Sequence, residues 1–502
     1  MLNYALAIAT AGLLVLTFPG EGLAFLAPVA LAPLLYAVAR EQHGWKRFLL
    51  GYTAGIAFWG GSCYWIHYVL GRYAGMSAAM AWLGFAGFLL YKSLQLGGFA
   101  WLAGPAMRTR WAILAAPALW VAIEWTHALS GFSWLLLGNA GIDMNIPMRL
   151  APYTGVWGLS FVFAATGTAL ALVALRRPRR ELAPLVALPL VLILPALPAP
   201  QRGTEAAVLV QPDISESADW TPQWVERQQQ RLLRLSAGAA LNQAGRTPAL
   251  IVWPEAPAPI YYEGDPRIRE QINELAKSTG AYVVFNTAPR NRAGEVLNSA
   301  VIVSPAGKPL GQYDKMNLVP FGEFVPWPFA GLVSKISTEA GDFTAGAKQT
   351  VLPAGAHKVG AFVCYESVLP GFVRKFAGKG AEVYVNISND GWFGRSAARD
   401  QHLAIARMRA AENRRWILRA TNDGITATID PAGRVWRRLP SFVPGAMETG
   451  FSWISGTTFY SRHGDWLVWL CMLGAAGGIA AGLRKPAPAE AKRASTSPGP
   501  GD

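Results

Sequence analysis

Three residues in the second half of the chain carry the groups that an acyl-transfer reaction needs. They are Glu255 in Trp-Pro-Glu, Lys315 in Tyr-Asp-Lys and Cys364 in Cys-Tyr-Glu. A thiolate attacks a carbonyl carbon well, but a free thiol with a pKa of about 8.5 is mostly protonated at neutral pH. A carboxylate can take that proton as a general base, and an ammonium can stabilise the oxyanion of the tetrahedral intermediate. The three residues therefore form a candidate catalytic triad.

The same side chains have structural alternatives. Cys364 could be an ordinary buried cysteine, and Glu255 and Lys315 a plain ion pair. Glu323, after Gly322, could cap a turn. His402 could form a Cys–His dyad with Cys364. For His402 a structural hydrogen bond within a helix is the preferred interpretation, because the carboxylate and the ammonium already fill the base and oxyanion roles.

Segment 200–462, which holds these residues, alternates between strand and helix patterns. Short runs rich in β-branched and aromatic residues predict strands at Ala206–Val210, Ala249–Trp253, Tyr282–Asn286, Ala300–Ser304, Val359–Cys364, Val383–Ser388 and Ile417–Ala420. Helical periodicity marks Pro222–Ala240, Pro266–Thr279 and Asp400–Arg415. Strands that alternate with helices predict a layered α/β domain.

The rest of the chain has the composition of a membrane protein. Hydrophobic residues make up 52% of the chain and charged residues 15%, and the mean hydropathy is +0.24. A spanning helix needs about 20 mostly apolar residues. Eight runs approach that length, near 4–18, 22–39, 49–70, 77–103, 111–130, 154–175, 182–198 and 464–483. The first run could be a signal peptide, but it lacks a basic start, so a retained helical hairpin is preferred.

The distribution of Lys and Arg predicts the orientation of these spans. Thirteen Lys and Arg residues lie in the segments on one side of the spans: Arg40, Lys46, Arg47, Arg108, Arg110, Arg176, Arg177, Arg179, Arg180, Arg484, Lys485, Lys492 and Arg493. The short loops of the opposite side hold Arg72 and Arg149. Because cytoplasmic loops carry the excess of Lys and Arg, both termini are predicted to be cytoplasmic. Residues 1–199 then form seven spans, 200–462 a periplasmic domain, 463–484 an eighth span and 485–502 a disordered tail.

Charge and cysteine content argue against other classes of protein. The formal charge of +14 does not indicate nucleic-acid binding, because the basic residues cluster beside apolar runs. Two of the three cysteines, Cys63 and Cys471, fall inside apolar runs, so no disulfide framework is expected. The histidines are scattered without ligand spacing, and no metal site or organic cofactor is expected.

Longer sequence words around the triad resemble the nitrilase superfamily and, more closely, the apolipoprotein N-acyltransferase family. The resemblance rests on Trp253–Glu255, Tyr313–Pro326, Cys364–Glu366, Asn386–Gly394, Gln401–His402, Ala406–Ala410 and Thr421–Thr426. It implies a four-layer α-β-β-α nitrilase-like domain on an eight-helix transmembrane bundle in the bacterial inner membrane. Glu124 matches a Glu of the family, but His127 stands where the family has Arg, and Ser133 of Gly131–Trp134 where it has the Pro of Gly-Phe-Pro-Trp. Arg395–Asp400 lacks a Gly-Pro pair that is frequent in the family.

The resemblance also implies a reaction. Cys364 would take an acyl chain from a phospholipid as a thioester and pass it to the α-amine of a diacylated apolipoprotein, without a cofactor and as a monomer. Glu255 would be the base, Lys315 would steady the oxyanion and Glu323 would position the Lys–Cys pair. Further positions match ones that the family uses around the substrate: Trp220, Tyr365 and Glu366. The alternatives are a membrane-tethered carbon–nitrogen hydrolase that transfers the acyl group to water, and an inactive scaffold that binds lipoproteins.

Two features outside the triad lead to further hypotheses. The apolar stretch 324–333 could be a mobile lid in which Trp327 and Phe329 guide an acyl chain, since aromatic residues favour headgroup depth; packing into the domain core is the alternative. Lys92 and Gln95 interrupt the fourth span, and ionisable groups inside membranes are candidates for function. Lys92 could instead extend along the helix to the cytoplasmic end, and that structural interpretation is preferred.

Overall fold

The computed structural model describes residues 1–72, 76–129, 131–215, 220–241, 247–255, 260–320, 322–324 and 343–484. Its first part is helical. The α-helices there are α1 (Leu2–Thr17), α2 (Ala32–Arg40), α3 (Gly44–Ser62), α4 (Trp65–Arg72), α5 (Ala78–Met107), α6 (Ala112–Leu129), α7 (Ala151–Thr154) and α8 (Val156–Ala174). Short 3-10 helices lie at Ala24–Leu26, Leu137–Asp143 and Pro147–Leu150.

The apolar runs agree with these helices except at prolines and at Cys63, where the run predicted over 49–70 divides into α3 and α4. The second run, predicted over 22–39, becomes α-helical at Ala32, because Pro28 lacks a backbone donor and Pro33 suits the first turn of α2. By length and composition, three of the described helices can cross a membrane: α6, α8 and Trp466–Leu483 near the C-terminus. Helix α1 is apolar but shorter.

The run predicted as a seventh span forms a 3-10 helix over Arg179–Ile193 instead of an α-helix. Pro184 and Pro189 lie inside it, and each removes a donor from the α-helical hydrogen-bond pattern. A 3-10 helix rises about 2.0 Å per residue, so its fifteen residues extend about 30 Å. That length matches the hydrocarbon core of a bilayer, which is about 30 Å thick.

The second part of the described chain contains the strands, which form two six-stranded sheets. They are β1 (Glu205–Gln211), β2 (Leu250–Val252), β3 (Tyr282–Thr287), β4 (Ser299–Val303), β5 (Pro309–Asp314), β6 (Leu352–Ala354), β7 (His357–Val363), β8 (Val383–Ser388), β9 (Ile417–Thr421), β10 (Ala427–Ile429), β11 (Val435–Arg438) and β12 (Gly445–Phe451). Their order is β12-β1-β2-β3-β4-β5 in one sheet and β11-β10-β9-β8-β7-β6 in the other. All seven predicted strands are confirmed.

Alternation along the strands gives each sheet two buried faces. Ala207 and Leu209 of β1 pack in the core between the sheets, whereas Val208 and Val210 pack against helices. Those helices are α9 (Pro222–Leu241) and α10 (Pro266–Thr279). Helices α11 (Pro370–Gly378) and α12 (Ala398–Asn413) lie against the other sheet, so the order of layers is helix, sheet, sheet, helix. The chain ends in α13 (Phe459–His463) and α14 (Trp466–Leu483).

Polar contacts join the helical part to the α/β part. Beside this junction, within the helical part, the indole nitrogens of Trp157 and Trp125 donate to the two carboxylate oxygens of Asp465, the residue before α14, over 3.0 and 3.2 Å. The Val156 amide donates to Glu412 Oε1 of α12 over 2.9 Å. All of these groups lie close to the point where α8 and α14 begin, so the α/β domain is seated directly on the helices.

Candidate active site

Cys364 lies in a sharp turn at the end of β7. Its φ is +48°, a conformation that is costly for a residue with a side chain and that persists only where the surroundings impose it. A 3-10 helix, Cys364–Val368, begins at this residue. The turn therefore changes the chain direction at Cys364 and displays its sulfur beyond the edge of the parallel strands β7, β8 and β9.

Glu366 holds this turn from inside the domain. Its side chain is completely buried and accepts a hydrogen bond from the Val363 amide, 2.9 Å away. Its other oxygen accepts from the Tyr313 hydroxyl over 2.6 Å and from the Met316 amide over 2.8 Å. Burial raises the pKa of Glu366, although these donors act in the opposite direction. The carboxyl group thus ties the cysteine turn to the loop after β5.

That loop carries Lys315, whose side chain is 1% exposed. Its Nζ lies 3.3 Å from Glu255 Oε1 and 2.8 Å from the Glu323 carboxylate. Burial alone lowers the pKa of Lys315, but the charges of Glu255 and Glu323 outweigh burial and raise it. Lys315 is therefore a firmly protonated cation held between two carboxylates.

Asn298 completes this arrangement, and the sequence analysis did not identify it. Its Nδ2 donates over 2.8 Å to Glu255 Oε1 and over 2.8 Å to Glu323 Oε1. Glu255 also accepts from the Asn389 amide over 3.1 Å, and Glu323 from the Val319 amide over 2.8 Å. Each carboxylate is therefore fixed by an ammonium, a side-chain amide and a backbone amide. An isolated asparagine before an apolar strand gives no sequence signal for such a role.

The thiol of Cys364 senses these charges. Burial raises its pKa, Glu255 raises it further, and Lys315 lowers it without reversing the shift. The resting thiol is therefore protonated at neutral pH, and a base must remove its proton before it can attack. Glu255 and Lys315 are close enough to Cys364 to act on its pKa, so a carboxylate and a fixed positive charge lie near the thiol.

His402 lies beneath the turn in a buried polar network. Its Nε2 is 3.2 Å from the carbonyl oxygen of Cys364 and 2.8 Å from Ser367 Oγ. Its Nδ1 faces Asp390 at 3.0 Å, and Arg419 binds the same carboxylate at 2.7 Å. These contacts join His402 to the backbone of the cysteine turn, which favours a structural role; that interpretation stays a prediction.

The remaining predicted residues differ in their surroundings. The Tyr365 hydroxyl donates to the Gly131 carbonyl of the helical part. Trp220 precedes α9, is 39% exposed, and packs edge-on against Trp224 with ring centroids 4.8 Å apart. Trp327 and Phe329 lie outside the described residues, so the lid hypothesis stays a prediction. Lys92 does not extend along its helix to solvent, as the preferred interpretation expected: its side chain is buried, and its Nζ donates to the Phe132 carbonyl.

Within the described residues no group of His, Cys, Asp or Glu side chains has the arrangement of a metal site. The residues around Cys364 are themselves an acid–base and nucleophile set. Glu255, Lys315 and Cys364 provide a carboxylate, an ammonium and a thiol, which are groups that acyl transfer can use.

Comparisons with known proteins agree with this fold. Residues 208–447 match the carbon–nitrogen hydrolase family, and residues 10–169 match the apolipoprotein N-acyltransferase N-terminal domain. An amidase of the nitrilase superfamily from Nesterenkonia AN1 aligns with 53% of this chain and 95% of its own, at 19% identity and a TM-score of 0.38. From the family match, the α/β part is a domain of the carbon–nitrogen hydrolase class.

Relatives of similar length extend the match to the helical part. Apolipoprotein N-acyltransferase of Geobacter metallireducens is 35% identical over 94% of this chain and 94% of its own. The protein of the same name from Pseudomonas aeruginosa is 32% identical over 89% of this chain and 93% of its own. The chain belongs to the apolipoprotein N-acyltransferase family.

Proposed function

We propose that this membrane enzyme moves an acyl chain from a phospholipid to the α-amine of the S-diacylglyceryl-cysteine at the start of an apolipoprotein. Membership of the acyltransferase family supports the reaction class. The observation that carries the mechanism is the buried ammonium of Lys315, bonded to Glu255 and Glu323 beside the Cys364 turn.

In the first half-reaction Glu255 takes the proton of the Cys364 thiol, and the sulfur attacks an ester carbonyl carbon of the phospholipid. The proton moves between two groups of one buried site, so the net charge of the site does not change. Lys315 stabilises the oxyanion that forms. The ester carbon–oxygen bond then breaks, Glu255 returns the proton to the leaving oxygen, and lysophospholipid departs from a Cys364 thioester.

In the second half-reaction the free amine of the apolipoprotein attacks the thioester carbon. Glu255 takes a proton from the attacking nitrogen, and Lys315 again faces the oxyanion. The carbon–sulfur bond breaks, the Cys364 sulfur is reprotonated, and an amide is left on the lipoprotein. The phospholipid and the apolipoprotein both react at Cys364 and cannot occupy it at once. The donor and the acceptor therefore react in turn.

Supporting roles follow from the contacts. Glu323 shares Lys315 and Asn298 with Glu255, which supports a role in orienting the ammonium. Glu366 and Tyr365 fix the backbone on either side of the sulfur, through β5 and through the helical part. Trp220, at the exposed start of α9, is proposed to contact substrate.

The proposed location is the inner membrane, with eight spans, 200–462 facing the periplasm and both termini in the cytoplasm. The excess of Lys and Arg on one side of the apolar runs supports this orientation. Both substrates are anchored in lipid, and extracting one would cost about 0.8 kcal/mol per buried CH₂. An active site attached to the bilayer avoids that cost.

Mass spectrometry of the purified chain incubated with phospholipid tests the reaction. We expect Cys364 to gain the mass of one acyl group and to lose it when a diacylated lipopeptide is added and becomes triacylated. The Cys364→Ala variant is expected to give neither species. Released fatty acid without triacylated peptide would instead support the membrane-tethered hydrolase, and a chain that never acquires an acyl group would contradict both.

A further inference from the structure

Two lysines of the described chain are almost completely buried, and the mechanism uses one of them. The other is Lys92 in α5, 1% exposed. Its Nζ donates to the Phe132 carbonyl oxygen over 3.3 Å. The ammonium also lies over the rings of Trp59 and Phe132, 5.0 and 5.7 Å from their centroids. Such faces attract a cation, so carbonyl and rings together hold the charge.

Phe132 belongs to a short segment of the helical part, Gly131–Trp134, that follows α6 and contacts the α/β domain. On one side of Phe132, the carbonyl of Gly131 accepts the hydroxyl of Tyr365, the residue after Cys364. On the other side, the Trp134 indole donates to Gln401 Oε1 of α12 over 2.8 Å. The segment thus touches the domain at two points and Lys92 at a third.

Both contacts with the domain lead to the cysteine turn. The ring of Trp134 packs on His402, with centroids 5.4 Å apart, and His402 Nε2 is 3.2 Å from the Cys364 carbonyl. Tyr365 adjoins the nucleophile directly. The left-handed conformation of Cys364 persists only if its neighbours impose it. Glu366 does so from inside the domain, and Gly131–Trp134 does so from the helical part.

We propose that Lys92 is a positioning residue for acyl transfer. By holding the Phe132 carbonyl, its ammonium keeps Gly131 against Tyr365 and Trp134 against His402, and so keeps the Cys364 sulfur aligned with Lys315. The inference rests on the proposed function for its reaction, and on the contacts of Gly131–Trp134 for its geometry. A buried ammonium carries a desolvation penalty that an apolar side chain of the same length avoids. The proposed role rests on the bond to the Phe132 carbonyl and on the contact with the Phe132 ring.

The test compares Lys92→Met with Lys92→Arg in the full-length chain in detergent. Methionine keeps the length of the side chain but removes the charge and the donor. We expect the maximal rate of thioester formation to fall about tenfold, as for the loss of one charge-assisted hydrogen bond, with KM for phospholipid unchanged. Arginine keeps charge and donor and is expected to restore most of the rate.

Gln95→Leu is the matched control. Gln95 lies in the same helix and donates over 2.9 Å to Thr126 Oγ1, which is outside Gly131–Trp134. This substitution also removes a polar group from α5, so it measures the general cost of such a change. We expect its rate of thioester formation to equal that of the unsubstituted chain.

A double-mutant cycle with Tyr365→Phe separates positioning from general stability. If Lys92 acts through Gly131 on Tyr365, the double variant loses no more rate than Tyr365→Phe alone. Strictly additive losses, or a Lys92→Met rate equal to that of the unsubstituted chain, would overturn the proposal. If Lys92→Met does not fold, the cycle is run with Lys92→Gln, which removes the charge but keeps a polar side chain.

Alkylation of Cys364 tests the role of Lys92 independently of the proposed acyl transfer. The rate at which iodoacetamide modifies Cys364, read on its own peptide, reports alignment without any acyl substrate. We expect Lys92→Met to change that rate several-fold and Gln95→Leu to leave it unchanged. Failure of acyl transfer in the unsubstituted chain would contradict the reaction, whereas unchanged alkylation in Lys92→Met would contradict the role of Lys92.

Discussion

The two buried lysines occupy the two halves of the molecule and have opposite surroundings. In the α/β domain, Lys315 is held between two carboxylates, at 3.3 and 2.8 Å. In the helical part, Lys92 is held by a carbonyl oxygen and two aromatic rings. The first arrangement places a cation between two carboxylates, which can accept a proton, whereas in the second the ammonium contacts a backbone carbonyl and the faces of two aromatic rings. Two equally buried lysines therefore have different proposed roles: Lys315 takes part in the reaction, and Lys92 aligns the residues that carry it out.

The largest effect of a substitution is expected at Lys315. Replacing it with methionine removes the cation that faces the oxyanion, and loss of one such donor costs about 10²–10³ in rate. We expect Lys315→Met to lose at least that factor in thioester formation, measured by mass spectrometry of Cys364. Arginine should not restore it, because its wider head does not fit between Glu255 and Glu323. Substantial rescue by arginine would mean that Lys315 only positions its neighbours, as Lys92 does.

A smaller effect is expected at the carboxylate that is not the base. Glu323→Gln keeps an acceptor for the Val319 amide but removes one negative charge from Lys315. Loss of a hydrogen bond between charged groups corresponds to about 10–100-fold. We expect the rate of acyl transfer to fall within that range while Cys364 still forms some thioester. A complete loss, equal to that of Glu255→Gln, would show that the two carboxylates share the role of base.

The smallest effect is expected at a carboxylate of the helical part. Glu124 Oε1 accepts the Leu137 amide over 2.6 Å, next to Gly131–Trp134. Glutamine at this position keeps an acceptor, so Glu124→Gln should stay within about threefold of the original rate of acyl transfer, the cost of weakening one hydrogen bond. Steady-state kinetics check this. A loss as large as that of Lys315→Met would give the helical part a chemical role and end the contrast between the two halves.

The sequence predicted seven strands that are mostly buried, and missed five that are short or partly exposed: β5, β6, β10, β11 and β12. Strands β3 and β8 are nearly continuous apolar runs, and both were predicted. Strand β5 has two exposed residues at its start and includes proline and glycine, so it lacks a strand pattern. It forms because β4 is beside it, which is tertiary information.

The same limit applies to the site. Glu255, Lys315, Glu323 and Cys364 stood in recognisable sequence words, and the structure brings the first three into direct contact. Asn298 entered the site through strand register: Ser299 pairs with Asp314, which places Asn298 beside Lys315. Register depends on partners that are distant in sequence, so a lone asparagine could not be assigned in advance.

Strand β12 has a consequence for how the molecule is built. Glu205, where the first strand begins, pairs with Phe451, where the last one ends. The first and last strands of the α/β domain are therefore neighbours, and the two ends of the domain lie side by side. Folds with adjoining ends tolerate insertion into a host chain. A domain whose two ends adjoin can be inserted between two apolar segments without a change in the position of either segment. The contacts between the domain and the helices then determine how the domain is oriented.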